Sequence, residues 1–296
     1  MTTRALVLGG GGLAGIAWEA GLLAGFADAG VDVAGADFVL GTSAGSVVAT
    51  QLATGVPVSD MLARQVDPAR QNREIAPSGS SHLALWEELT AATEEPADPA
   101  ELRRQQGRLA LAADTVPEPE RLAVIAARLP VHDWPVRPLA VVAVDAITGE
   151  PVVFDRASGV GLVDAVAASC AVPGVWPPVT IGGGRYVDGG VRSLNNVDLA
   201  AGYDRVLVVA PVADPSTGPQ VAMLTARGAH VEVVVPDERA AAIFAGDPLD
   251  PAVRTPAARA GLAQAPAAAA AAVRWWGSTP AEGGPRARPG TAPRGR

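Results

Sequence analysis

The sequence predicts an α/β protein with a mainly parallel sheet, and three observations carry that prediction. Short apolar runs that stop at glycine or at turn residues recur along the chain, as buried parallel strands do. Between them lie longer segments with apolar residues at helical spacing. Hydrophobic residues make up 49% of the 296 positions and charged residues only 18%, enough apolar material for a sizeable core. The 33 glycines and 26 prolines are about a fifth of the chain, below the level that marks low complexity.

The elements follow in order. Residues 4–9 (RALVLG) read as a strand that ends at glycines, and 13–29 as a helix with Gly30 as its C-terminal signal. Residues 37–41 (DFVLG) form a second strand, followed by a helix over 44–54 closed by Gly55 and Pro57. From 58 to 135 the character changes: charged and helix-forming residues dominate, broken by prolines, which predicts an all-helical insertion. Strands return at 139–144 (LAVVAV) and 152–154, joined through a turn at Thr148-Gly149. A helix is expected over 161–171, a hairpin over 179–187 with three glycines in its turn, and buried strands at 205–210 and 231–235. Helices lie between and after these last strands, ending in an alanine-rich stretch up to Trp276. The expected organisation is one domain over 1–276 that contains the 58–135 insertion or cap. A Gly/Pro/Arg tail over 277–296 has almost nothing to bury and is expected to be disordered.

Composition removes several chemistries. All 23 basic residues are arginine, so any mechanism that needs a lysine Schiff base, a P-loop lysine or a Ser–Lys dyad is excluded. The single cysteine, Cys170, excludes an internal disulfide and a CxxC site. His82, His132 and His230 form no HExxH pattern, which argues against a zinc hydrolase. Net charge is −8, and the tail over 277–296 is basic, so the body is more acidic still; nucleic acid is not an expected partner. No run of about 20 apolar residues lacks charges or turn residues, so no membrane span is expected. The apolar start resembles a signal peptide but contains a functional glycine motif, so the expected location is the cytoplasm.

Three glycine-rich sites carry the chemistry. The first is GGGGLAG at 9–15, between the first strand and helix. Successive N–H groups ahead of a helix N-terminus suit an anion, so the loop fits a dinucleotide pyrophosphate site, an oxyanion hole, or a tight turn without a ligand. The second is Gly41-Thr42-Ser43-Ala44-Gly45, a G-x-S-x-G pattern at a strand-to-helix junction, which makes Ser43 a candidate nucleophile or an N-cap. The third is Asp188-Gly189-Gly190 after a strand-like segment, a candidate base or an Asx-turn. Together they offer a nucleophile, oxyanion donors and a carboxylate at strand ends, where an α/β sheet places its site.

With these three motifs in this order, and with SCAVPG at 169–174 followed by Trp176-Pro177-Pro178, the sequence resembles the patatin-like phospholipase family over roughly residues 4–212. The resemblance implies a three-layer α/β/α fold and a Ser–Asp dyad that hydrolyses lipid acyl esters without metal or organic cofactor. It makes Ser43 the nucleophile, Asp188 the general base, and the N–H groups of Gly10, Gly11 and Gly12 the oxyanion hole. Gly15, Gly41, Gly45, Gly189 and Gly190 support the motifs. The implied partner is a lipid or other acyl ester, met in part at a membrane or micelle surface. Two departures stand out: Ala14 occupies a position where the family usually has Arg or Lys, and Asn195-Asn196-Val197 lacks a common proline. Two other functions remain open, a general carboxylesterase or thioesterase on the same fold and a catalytically weak lipid-binding protein.

Other residues are set aside for stated reasons. His230 follows Ser43 and Asp188 in the chain order of a Ser–Asp–His triad, but it starts a strand and is expected to be structural. Cys170 is expected to be a small buried hydrophobe, and Asp145 a turn residue. Asp32 and Asp37 are near the acidic position of a dinucleotide site but do not end the second strand. Trp176 is a candidate pocket wall. In the insertion, Leu83, Leu85, Trp86 and Leu89 are expected to be core.

Overall fold

The computed structural model describes residues 2–76 and 98–276. His82, Leu83, Leu85, Trp86, Leu89 and the expected tail over 277–296 lie outside the described residues.

Among the described residues eight strands form one sheet. The parallel strands are β1 (Arg4–Leu8), β2 (Phe38–Thr42), β3 (Leu139–Asp145), β7 (Arg205–Val209) and β8 (His230–Val234), and the hydrogen-bonded path runs β5-β6-β3-β2-β1-β7-β8. The hairpin of β5 (Val179–Ile181) and β6 (Gly184–Asp188), together with β4 (Pro151–Phe154), joins β3 in antiparallel sense. Strands β1, β2, β3 and β7 are buried on both faces, which is why they read as continuous apolar runs instead of alternating ones; β8, expected as a buried strand, is only partly buried because it lies at the edge of the sheet.

Side chains of each strand still point alternately to two cores. Leu6 and Leu8 join one cluster with Val39, Val141 and Leu207, covered by α1 (Gly12–Asp28), α2 (Ala44–Ala53), α6 (Leu162–Ser169) and α9 (Arg254–Trp276). Ala5 and Val7 join the opposite cluster with Leu40, Val142 and Val206, covered by α7 (Thr217–Ala226) and the short 3-10 turn Val197–Ala200. The sheet is therefore flanked by helices on both faces. The described part of the expected insertion is helical: α3 (Val58–Val66), α4 (Pro99–Ala112) and α5 (Glu118–Arg128). The last two are entered by Asp98-Pro99 and Pro117, as helix-start chemistry favours. Helix α8 (Glu238–Phe244) precedes α9.

The register of β3 explains how the site is assembled. Strand β4 takes one edge of β3 over Val141–Val144, so β2 and β6 must share the other. Strand β2 pairs with Leu139–Val142 and β6 with Ala143–Asp145, running in opposite directions. Their C-terminal ends, Thr42 and Asp188, thus meet beside adjacent residues of β3, Val142 and Ala143. Residues distant in sequence, Ser43 and Asp188, become neighbours through strand pairing alone.

Candidate active site

Ser43 sits on the turn between β2 and α2 with φ 52° and ψ −118°, one of two described non-glycine residues with positive φ. Such a conformation costs about 1–3 kcal/mol and persists only when its surroundings enforce it. Here both glycines of G-x-S-x-G do so by making room. A Cβ on Gly41 would lie 2.5 Å from the Ser46 Cα, and one on Gly45 would run into the Leu8 carbonyl. Gly45 also donates its N–H to the Gly9 carbonyl at 2.9 Å, which ties the elbow to the glycine-rich loop.

A second segment braces the elbow. The Ser43 N–H donates to Ser169 Oγ at 2.9 Å, and the Ser43 carbonyl accepts from Ser46 Oγ at 2.6 Å and from Cys170 Sγ at 3.3 Å. One residue further on, the Ala171 carbonyl accepts the Asp188 N–H at 2.9 Å. Residues 169–171 therefore hold Ser43 and Asp188 at once. Cys170 is buried, as expected, and burial raises its thiol pKa, so it is a weak donor here and not a nucleophile. Sequence reasoning did not single out Ser169; its only signal was its place at the start of SCAVPG.

Asp188 is 4% exposed. Its Oδ1 accepts the Gly190 N–H at 2.7 Å, the turn that Gly189-Gly190 permits, while its buried Oδ2 has no hydrogen-bond partner. Burial raises its pKa to about 7; the approach of the Ser43 hydroxyl, the Gly190 N–H and the positive charge of Arg121 oppose that rise. The Ser43 hydroxyl lies close enough to the carboxylate to oppose that rise, while Oδ2 accepts no hydrogen bond among the described residues. A carboxylate that titrates near neutrality is poised to take and return a proton, which an ordinary aspartate at ~3.9 is not.

The glycine-rich loop requires one correction. The Gly10 N–H is engaged with the Leu194 carbonyl at 2.8 Å, so it is not a free donor for an oxyanion. The reason is non-local: the Asp214 carboxylate accepts from Ser193 Oγ and from the Leu194 N–H, and so sets the loop that presents this carbonyl. The Gly11 and Gly12 N–H groups have no acceptor among the described residues, and Gly12 (φ 65°) lines the cavity in front of Ser43 with Ala44 at the start of α2. Both helix N-termini favour negative charge at that point. Ala14 is fully buried beneath the loop and donates its N–H to the Pro248 carbonyl. Gly15 packs at close range against the Ala44 side chain.

Asn196, noted in the sequence only as part of the Asn195-Asn196-Val197 departure, is a buried latch. In the left-handed conformation (φ 49°), its Nδ2 donates to Thr42 Oγ1 at 3.0 Å and to the Ser193 carbonyl at 2.6 Å, fastening the end of β2 to the chain after Asp188.

The residues set aside lie elsewhere. His230 pairs in register with Arg205, which pairs with Arg4, so it lies at the opposite end of the strands from Ser43, about 20 Å away along the strand direction and three strands across the sheet. It is exposed and packs on Trp275 at 4.5 Å. His230→Ala is expected to leave ester hydrolysis within about twofold of wild type, read as kcat/KM; a loss of tenfold or more would restore a triad. His132 is exposed, with Nε2 near the Ala126 carbonyl, and Asp145 caps its turn by accepting the Ile147 and Thr148 N–H groups. Asp32 and Asp37 also sit at the far end, against Arg4. Trp176 is buried and lines the Ser43 cavity.

One buried acid was not foreseen. Glu19 on α1 is fully buried, its two carboxylate oxygens lack hydrogen-bond partners, and burial raises its pKa well above the ordinary range against a weaker opposing effect of the Gly9 backbone. In the unfolded chain it titrates near ~4.3. Stability linked to Glu19 is thus full below that pH and declines as pH rises through the raised folded value. Glu19→Gln is expected to remove that decline and stabilise the fold at pH 8 by roughly 1–3 kcal/mol, with little difference near pH 4; thermal denaturation at the two pH values checks it.

A helix-flanked, mainly parallel sheet with a serine on a strand-to-helix elbow beside a buried acid defines an α/β protein of the hydrolase type. More particularly, the model of the patatin-like phospholipase family matches residues 6–201, and the chain belongs to that family. The membership supports a lipid-hydrolysing enzyme. Among solved structures, VipD from Legionella pneumophila shares the fold at a TM-score of 0.50 and 14% identity, over 92% of this chain and 67% of that one. The type III effector protein ExoU matches at a TM-score of 0.40 and 18% identity, over 90% of this chain and 53% of that one. No curated protein sequence matches. Among the described residues no helix is long and apolar enough to cross a membrane, and no group of acidic, histidine or cysteine side chains is arranged to hold a metal ion.

Proposed function

We propose that the chain is a serine acyl hydrolase that cleaves carboxylic esters of lipids through a Ser43–Asp188 dyad. The observation that supports it most is the pairing of a strained elbow serine with a buried aspartate whose pKa is about 7. Ser43 Oγ attacks the ester carbonyl while its proton passes to Asp188. The Gly11 and Gly12 N–H groups and the N-termini of α1 and α2 stabilise the oxyanion. As the tetrahedral intermediate collapses, the carbon–oxygen bond to the alcohol breaks and Asp188 returns the proton to the departing oxygen, leaving an acyl-Ser43. Water, deprotonated by Asp188, then attacks the acyl carbonyl and releases the acid with Ser43 regenerated.

We take residues 1–276 as the catalytic unit, with the 58–135 stretch as part of the site and not a separate module. Two residues of α5, Arg121 and Arg128, line the same cavity as Ser43, which supports that division. The cavity in front of Ser43 is lined in large part by apolar side chains, among them Leu13, Ile16, Val172 and Leu249, which suits the apolar part of an ester, whether from a lipid at a membrane or micelle surface or from a simpler carboxylic ester.

A fluorophosphonate probe tests the reading directly. Covalent labelling at Ser43, abolished in Ser43→Ala, is the expected result. An unlabelled Ser43 in folded protein would leave a lipid-binding role without catalysis.

A further inference from the structure

Three arginines are buried among the described residues: Arg121, Arg128 and Arg254. Two are fully accounted for. Arg128 holds Glu74 in a bidentate pair, Nη2 to Oε2 at 2.7 Å and Nε to Oε1 at 3.1 Å. Arg254 donates to Gln65 Oε1, to Asn72 and to the Arg64 carbonyl. Arg121 is different. It is 4% exposed, makes no hydrogen bond among the described residues, and its buried Nε and Nη1 are both without a partner there.

Its place gives those free donors a direction. Arg121 lies on α5, two turns before Arg128, with its guanidinium carbon 3.8 Å from the centre of the Trp176 ring. Stacking uses the face of the guanidinium and leaves the N–H groups at its edge, the arrangement that suits a planar or tetrahedral oxyanion. Arg121, Trp176, Cys170, Gly12 and Ser43 line one cavity. Burial and the neighbouring Arg128 both depress the Arg121 pKa, to about 9, which still leaves it charged at neutral pH; Glu74, already paired with Arg128, and the more distant Asp188 oppose that shift. A buried cation with orphaned donors, in the cavity of a nucleophilic serine, is a binding site for an anion that comes with the substrate.

Resting on the acyl hydrolase reading above, we propose that Arg121 is a specificity-determining residue that binds an anionic oxygen group, phosphate or carboxylate, carried by the molecule whose ester Ser43 attacks. Trp176 holds the guanidinium in place, and Arg128, already neutralised by Glu74, does not compete for the anion. A phosphate would come from a headgroup on the alcohol side of the substrate; a carboxylate would be a second, free acid group that the substrate carries beside its ester. Esters that bear neither group are poorer substrates.

Two measurements on the full chain test this. The first is binding of octyl phosphate, octanoate and octanol by titration calorimetry, which requires no turnover. Wild type is expected to bind at least one of the two anions tenfold or more tightly than octanol, with the margin lost in Arg121→Gln and partly kept in Arg121→Lys. Preference for octyl phosphate assigns the site to a headgroup phosphate, and preference for octanoate to a free carboxylate on the substrate. Equal binding of all three to wild type would overturn the proposal without recourse to any variant. The second is the ratio of kcat/KM for a lysophosphatidate over a monoacylglycerol of the same acyl chain. For a phosphate site, Arg121→Gln should lower that ratio at least tenfold through KM, with Arg121→Lys intermediate; for a carboxylate site, octanoate inhibition should weaken by the same factor. An equal loss on both esters, with unchanged inhibition, would mean that Arg121 acts on the ester centre or the packing, and would also overturn it. If wild type hydrolyses neither ester, the acyl hydrolase reading fails while the calorimetry still decides the anion site.

Discussion

Ser43→Ala is expected to lower kcat/KM for p-nitrophenyl butyrate by about 10⁴-fold or more, with the fold intact. No other described hydroxyl or thiol is placed to replace it. Ser46 and Ser169 are committed to bracing the elbow, and the Cys170 thiol, with its pKa raised by burial, contacts the Ser43 carbonyl. The effect should fall on kcat and not on KM, because the lost atom forms a bond in the transition state. Ser43→Gly separates strain from chemistry. It should be as inactive as the alanine variant yet more stable than it, since glycine accepts a φ of 52° and alanine does not. Steady-state kinetics and thermal melts of both variants check these outcomes. Retention of more than a few per cent of wild-type activity in either would remove Ser43 from the mechanism.

The second large effect concerns Asp188. In wild type, kcat/KM is expected to rise about tenfold per pH unit below about 7 and to level off above it. The base works only when ionised, and burial raises its pKa to about 7. Asp188→Asn should lose activity by about 10³-fold or more and lose that pH dependence in whatever remains. Asparagine can still accept the Gly190 N–H that shapes the turn, so the variant tests the base and not the loop. A wild-type profile that levels off at pH 4–5 would mean that Asp188 is solvated like an ordinary aspartate and would remove the reason to regard it as the base. The same shift affects stability. Asp188 binds its proton more tightly in the folded state, so its contribution is full below ~3.9 and is lost as pH rises through about 7. Conditions that activate the enzyme therefore cost it stability.

Much of this site was legible in the sequence because its motifs are local. The elbow needs small residues two positions before and after the serine, where the strand end, the helix start and Leu8 crowd together, and G-x-S-x-G records that need within five residues. The parallel strands were equally legible, since burial on both faces removes polar residues from short runs such as 139–144. Asp188 was found through its two glycines, which report a turn and not a catalytic role; only the joint occurrence of three motifs lent it that role.

What the pattern could not show is what packs around each group. Gly10 looks identical to Gly11 and Gly12 in the sequence, yet its N–H goes to the Leu194 carbonyl because Asp214, in the segment that follows β7, sets the loop that presents it. Ser169 and Asn196 are unremarkable polar residues until strand pairing brings β2 and β6 end to end and gives each two segments to bridge. The titration of Asp188, the raised pKa of Glu19 and the unpaired donors of Arg121 depend on excluded water and on charges distant in the chain. The sequence by itself determined the order of strands and helices and the elbow, and pointed to the two residues proposed to react, because backbone geometry and hydrophobic period are written in neighbouring residues. Only the tertiary structure decided which donors are free, how strongly each acid holds its proton and which arginine faces the serine, because desolvation and Coulomb energies are set by distance in space.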